Sequence, residues 1–96
     1  MDALFAALGD PVRLAIVQEL AERNDQALFE LCVRLITAHE LAVSRQAVAK
    51  HVRVLREAGL VELSSRGRTT IHHLDVDALR AARALLDHLI TKAGTS

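Results

Sequence analysis

Gln46, Lys50 and Arg53 recur at i, i+4 and i+7, the spacing that aligns side chains along one face of a helix. Four basic residues, Arg45, Lys50, Arg53 and Arg56, fall between Ser44 and Arg56, with no acid among them. An amide and cations held outward at fixed intervals supply the donors that contact base edges and phosphates in the major groove of duplex DNA. The same stretch carries Val48, Val52 and Leu55 at i, i+4 and i+7 on its other side. Ser44 is placed to accept a hydrogen bond from first-turn amides, and Gly59 can adopt the left-handed conformation that ends a helix. An isolated helix of about four turns is marginal in water, so this one needs a body to pack against.

A second cationic group lies downstream. Leu60–Leu63 and Thr70–Leu74 are rich in apolar and β-branched residues, and Ser65, Arg66 and Gly67 supply a turn between them. This predicts a two-stranded hairpin with Arg66 and Arg68 at its tip. Residues 44–68 hold six of the twelve basic residues and two of the twelve acids, a net charge of +4 inside a chain whose formal charge is zero. A basic lobe on an acidic body fits a nucleic-acid partner despite the neutral total. With two aromatic residues, Phe5 and Phe29, stacking on unpaired bases has little to work with, which favours a duplex.

The rest of the chain must position these groups. Residues 2–8 read as a short amphipathic helix, broken at Gly9. Asp10 caps and Pro11 opens a second helix to about Arg23, with Leu14 and Val17, then Ile16 and Leu20, as its inward residues. Asn24-Asp25 starts a third helix over 26–37 with Leu28, Leu31, Cys32 and Leu35 as its apolar stripe. Residues 38–43 connect to the basic helix, with Leu41 turned inward. After the hairpin, Asp75 or Asp77 caps a last helix to about Lys92, with Leu79, Ala82, Leu86, Leu89 and Ile90 as its stripe; Gly94-Thr95-Ser96 reads as a frayed end. The expected fold is mainly α with a small β-hairpin wing: a single winged helix-turn-helix domain over residues 1–96.

At this point the chain resembles the ArsR family of bacterial winged-helix repressors. The matching stretches are ALGDPVRLAIVQEL (7–20), SRQAVAKHVRVLREAGLV (44–61), GR (67–68) and LDVDAL (74–79), and the second is the most specific. The resemblance implies a homodimer joined through the first and last helices, bound to an inverted-repeat operator and repressing transcription. By position, Ser44, Arg45, Gln46, Ala47, Lys50 and His51 match the DNA-reading helix, and Arg66, Gly67 and Arg68 match the wing. His51 serves equally well as a packing residue or a phosphate contact. The expected dimer surface is Leu4, Phe5 and Leu8 with Leu79, Ala82, Leu86, Leu89 and Ile90, more leucine than a small body hides.

Many members of that family release DNA when a metal ion binds. One family site uses two cysteines in an ELCVC motif, where this chain has Glu30-Leu31-Cys32-Val33-Arg34; one thiolate beside a cation does not make a soft tetrahedral site, and Cys32 reads as core. A second family site on the last helix leaves Asp75, Asp77 and His88 as candidates for nickel or zinc, reachable only across a dimer, because Asp77 and His88 lie about 16 Å apart along one helix. Local helix-start and surface roles account for the same three residues. No resident cofactor is implied. His72 and His73 alternate in a strand and face opposite ways, so they do not jointly chelate. His39-Glu40 begins a zinc-hydrolase-like string, but Val43 ends it. Without a phosphate-cradling glycine loop or a serine elbow, an enzyme is not expected. One cysteine, an acidic Asp2 and Asp10 in place of a basic leader, and no apolar run of about 20 residues predict a cytoplasmic protein; the resemblance implies that it acts at the bacterial nucleoid. A winged helix that meets an acidic protein is the alternative from outside DNA binding.

Overall fold

The computed structural model describes residues 1–94. The elements run α1 (Asp2–Leu8), α2 (Pro11–Glu22), β1 (Gln26–Ala27), α3 (Leu28–Thr37), α4 (Arg45–Glu57), β2 (Val61–Arg66), β3 (Thr69–Leu74) and α5 (Val76–Gly94). This is the winged helix-turn-helix order, mainly α with a hairpin wing.

The helix starts follow the capping residues. Asp10 Oδ2 accepts from the amides of Val12 and Arg13 at 3.0 and 3.1 Å, and Pro11 takes the first helical position, where no donor is lost. Ser44 Oγ accepts from the Ala47 amide at 3.1 Å and starts α4. Asp75, rather than Asp77, caps α5: its Oδ1 accepts from the amides of Asp77 and Ala78 at 2.9 and 3.3 Å. Gly59 stands at φ +81°, so α4 ends there as its glycine requires.

α2 runs through the centre, packed on α1, α3, α4 and β3. Ile16 and Leu20 from α2, Leu31 and Leu35 from α3, Val48 and Leu55 from α4, and Leu60 are fully buried together. Leu41 packs against this cluster as expected. Leu14 does not: it is 40% exposed. The buried face of α2 is built from Ala15 and Glu19 beside Ile16 and Leu20, two i, i+4 pairs whose centre lies across the helix from Leu14.

Three boundaries differ from the sequence reading. The third helix starts two residues late, because Gln26 and Ala27 form β1 and pair antiparallel with His72 and Ile71. The sheet therefore has three strands in the order β1-β3-β2, and the wing is braced on its inner edge by the strand leading into α3. Ser65 and Arg66 belong to β2, opposite Thr70 and Thr69, so the turn is Gly67-Arg68 alone. Gly67 at φ +64° in the first central position has the form of a type II′ turn, whose twist matches the strands. Finally, α5 is helical through Gly94; Thr95 and Ser96 lie outside the described residues.

Within α5 only Ala82 is buried. The helix is about 28 Å long and extends from a molecule with principal extents of 52 × 28 × 21 Å. Leu86, Leu89 and Ile90 are 47, 52 and 69% exposed, and Phe5 on α1 is 37% exposed. Leu4 and Ala82 are already buried within the chain, and Leu8 and Leu79 are partly so, packed on its core. Of the eight residues expected at a dimer surface, the four that are exposed are Phe5, Leu86, Leu89 and Ile90.

Candidate nucleic-acid interface

α4 divides by face as its spacing requires. Val48, Val52 and Leu55 are buried, while Gln46, Lys50 and Arg53 are exposed together with Ser44, Arg45 and Arg56. Ala47 is half-buried. Arg45, Lys50, Arg53 and Arg56 carry no ion pair among the described residues, whereas Arg34 and Arg80 do. Unpaired cations on one helix face keep their full charge for an outside anion. On the wing, Arg66, Gly67 and Arg68 are all exposed at the hairpin end. A groove runs between α4 and the wing, with Arg45, Arg53, Arg56 and Arg68 among its walls. Of the α4 and wing residues singled out in the sequence, Arg45, Arg53 and Arg68 thus border one groove; Ser44, Gln46, Lys50, Arg66 and Gly67 are exposed outside its lining.

His51 is tied inward. Its Nδ1 lies 3.4 Å from Arg13 Nη1 and 3.8 Å from Asp10 Oδ2. Arg13 can only donate, so in this contact a neutral His51 accepts at Nδ1 and carries its proton on Nε2. Arg13 also donates from Nε to the Ala7 carbonyl at 2.8 Å and from Nη2 to the Ala6 carbonyl at 3.3 Å, closing the C-terminal end of α1. One arginine therefore joins α1, α2 and α4. The backbone amide of Arg13 is the main reason that the Asp10 carboxyl sits below its usual range, ahead of the charges of His51 and Arg13 and the Val12 amide; burial opposes them.

Glu19 went unnoticed in the sequence. It is fully buried on α2 and accepts from Gln26 Nε2 at 2.8 Å, Arg34 Nε at 3.2 Å and His39 Nε2 at 3.2 Å. This carboxylate pins β1, the supporting helix α3 and the turn of the helix-turn-helix to α2. Burial pushes its carboxyl up, but the three hydrogen bonds and the Arg34 charge outweigh that and hold it below its ordinary value. Nothing local flagged it, since a lone Glu on a helix is normally exposed.

The histidines of the wing part as strand alternation requires. His72 is buried and donates from Nδ1 to the Gln26 carbonyl at 3.0 Å; His73 is exposed and pairs with Asp25 at 2.7 Å. Burial holds the His72 imidazole below its usual value, helped by the nearby Arg56 charge and resisted by the hydrogen bond to Gln26. Burial also pushes the Cys32 thiol up, with Arg45 partly opposing, so it stays protonated and packs against the core. Asp75 is engaged as a cap and Asp77 pairs with Arg80 at 2.9 Å. Among the described residues no three His, Cys, Asp or Glu side chains gather as metal ligands, so Asp75, Asp77 and His88 are not brought together within one chain.

The model of the helix-turn-helix domain matches residues 8–64. The chain is 39% identical over 94 residues to the HTH-type transcriptional regulator Rv2034 of Mycobacterium tuberculosis, covering 98% of this chain and 81% of that one. It is 52% identical over 67 residues to the HTH-type transcriptional regulator YuzN of Bacillus subtilis, covering 70% and 73%. Among solved structures, the ArsR-like transcriptional regulator from Rhodococcus sp. RHA1 superposes with a TM-score of 0.82 at 33% identity, covering 98% of this chain and 82% of that one. A buried-backed basic helix, a braced wing and these likenesses agree: the chain belongs to the ArsR family of winged helix-turn-helix proteins and is a DNA-binding transcriptional regulator.

Proposed function

We propose that the chain represses transcription as a homodimer on an inverted-repeat operator. The observation that carries this is the division of α4: three side chains anchor it while Gln46, Lys50 and Arg53 stand outward without a side-chain partner among the described residues. In this reading α4 enters the major groove. Gln46 reads a base edge, Ser44, Arg45, Ala47, Lys50 and Arg53 line the approach to bases and phosphates, and His51 adds an Nε2–H donor at the border. Arg66, Gly67 and Arg68 reach flanking phosphates or the minor groove. The uncovered Phe5, Leu86, Leu89 and Ile90 support a two-fold interface between α1 and α5 of two chains, which would set the two recognition helices about 34 Å apart, one turn of DNA. The chain works by binding alone, without catalysis, at the cytoplasmic nucleoid; among the described residues no helix is long and apolar enough to cross a membrane.

Selection of bound duplexes from a random pool tests this. The expected product is a palindrome whose half-sites are centred about one helical turn apart. Enrichment of a single unrepeated half-site would remove the dimer, and no enrichment over input would remove sequence-specific binding.

A further inference from the structure

The groove between α4 and the wing is more than a channel for phosphate. Its volume is about 600 Å³, within the range of small-molecule pockets. Four arginines line it, Arg45, Arg53, Arg56 and Arg68, with no acid among the lining residues. Its deeper lining is mostly apolar: Val52 is buried, and Leu28 and Leu63 are partly buried against the core, with the buried His72 beside them. Phe29, 68% exposed, stands at the rim. A phosphodiester strand would use the arginines but has nothing to lay on Leu28, Val52 and Leu63. Unpaired guanidiniums above an apolar floor complement a molecule with a charged end and a hydrophobic body.

We propose that this groove binds a small amphiphilic anion, an alkyl or aryl carboxylate, that competes with DNA for the same face. The carboxylate pairs with the arginines, and the hydrophobic body rests on Leu28, Val52 and Leu63 under Phe29. Release of DNA then needs no transmitted conformational change, because ligand and duplex exclude each other directly. The competition, though not the ligand site itself, rests on the DNA reading of α4 and the wing.

The test uses 2-naphthoate as the probe, with 2-naphthamide as its neutral counterpart and inorganic phosphate as a plain anion, all at constant ionic strength. Calorimetry without DNA should show one naphthoate per chain, bound at least tenfold more tightly than either control. Phe29→Ser should weaken naphthoate at least fivefold and leave affinity for duplex DNA unchanged; Arg56→Gln should weaken naphthoate by a similar factor. In a bandshift on random duplex at low salt, the apparent Kd should rise in proportion to naphthoate. Equal binding of phosphate or naphthamide, indifference to both substitutions, or naphthoate binding without displacement of the duplex overturns the proposal. Failure of the duplex to bind at all would instead overturn the DNA reading, and the titration without DNA would still decide the ligand site.

Discussion

Replacing Glu19 with alanine should cost about 3 kcal/mol of folding stability, although the residue does not line the groove between α4 and the wing. The carboxylate is fully buried and accepts three side-chain hydrogen bonds, from Gln26, Arg34 and His39. The Gln26 bond is buried, and a buried hydrogen bond to a charged group contributes roughly 1.5–3 kcal/mol. The Arg34 and His39 side chains are 31% and 20% exposed, so water recovers part of their loss, and each adds well under the full value. Gln26 Nε2 keeps a second acceptor in the Arg23 carbonyl, while its Oε1 is buried without a hydrogen bond among the described residues. For a domain of this size, 3 kcal/mol is a large fraction of a total of about 5–15 kcal/mol and lowers Tm by roughly 12–24 °C. Glu19→Gln keeps the volume and one acceptor and should cost about 1–2 kcal/mol. Urea unfolding followed by far-ultraviolet circular dichroism, at fixed chain concentration, gives both values. The pH dependence adds a second reading. The folded-state pKa of Glu19 lies below its ordinary value of 4.5, so the folded state binds fewer protons there than the unfolded state. The associated stability is present above pH 4.5 and is lost as pH falls through the folded pKa, so the gap between wild type and Glu19→Gln should narrow in that acid range. A loss under 0.5 kcal/mol for Glu19→Ala at pH 7, or a gap indifferent to acid, would refute the role given to this carboxylate.

Lys50→Ala should weaken binding to operator and random duplex alike and flatten the log–log salt dependence by about 0.9, one phosphate's share of counterion release. Gln46→Ala should instead relax preference at one base pair per half-site, by roughly 1–3 kcal/mol of discrimination; equal losses on specific and random DNA for both variants would contradict the faces assigned to α4. Ile90→Asp, counted twice across the proposed two-fold interface, should weaken dimerisation by about 4 kcal/mol or roughly a thousandfold, read by sedimentation, with circular dichroism unchanged. Calorimetric titration with nickel and zinc should give the same weak binding for wild type and His88→Ala, since Asp75 and Asp77 already serve α5 locally; a clear loss in His88→Ala would restore a metal site shared between chains.

What the sequence determined by itself was whatever depends on near neighbours. Ser44 and Asp10 announced their helices because a cap acts over three residues, and Gly59 and Gly67 marked the ends that need a positive φ. The opposed rows on α4 were legible because helical periodicity alone sorts Val48, Val52 and Leu55 from Gln46, Lys50 and Arg53. The same local logic failed where distant chain segments decide. Gln26 and Ala27 continue the periodic pattern of α3, yet pairing with His72 and Ile71, more than forty residues away, draws them into the sheet. Leu14 looks like core, but which side of α2 is inside depends on where α1, α3, α4 and β3 sit around it. Glu19 reads as a surface acid until Gln26, Arg34 and His39 converge on it; tertiary packing alone brings three donors from three segments within hydrogen-bonding distance of one buried carboxylate. Likewise, only the assembled fold lays Leu28, Val52 and Leu63 beneath four arginines, because a floor made from α3, α4 and β2 has no counterpart in any one stretch of chain.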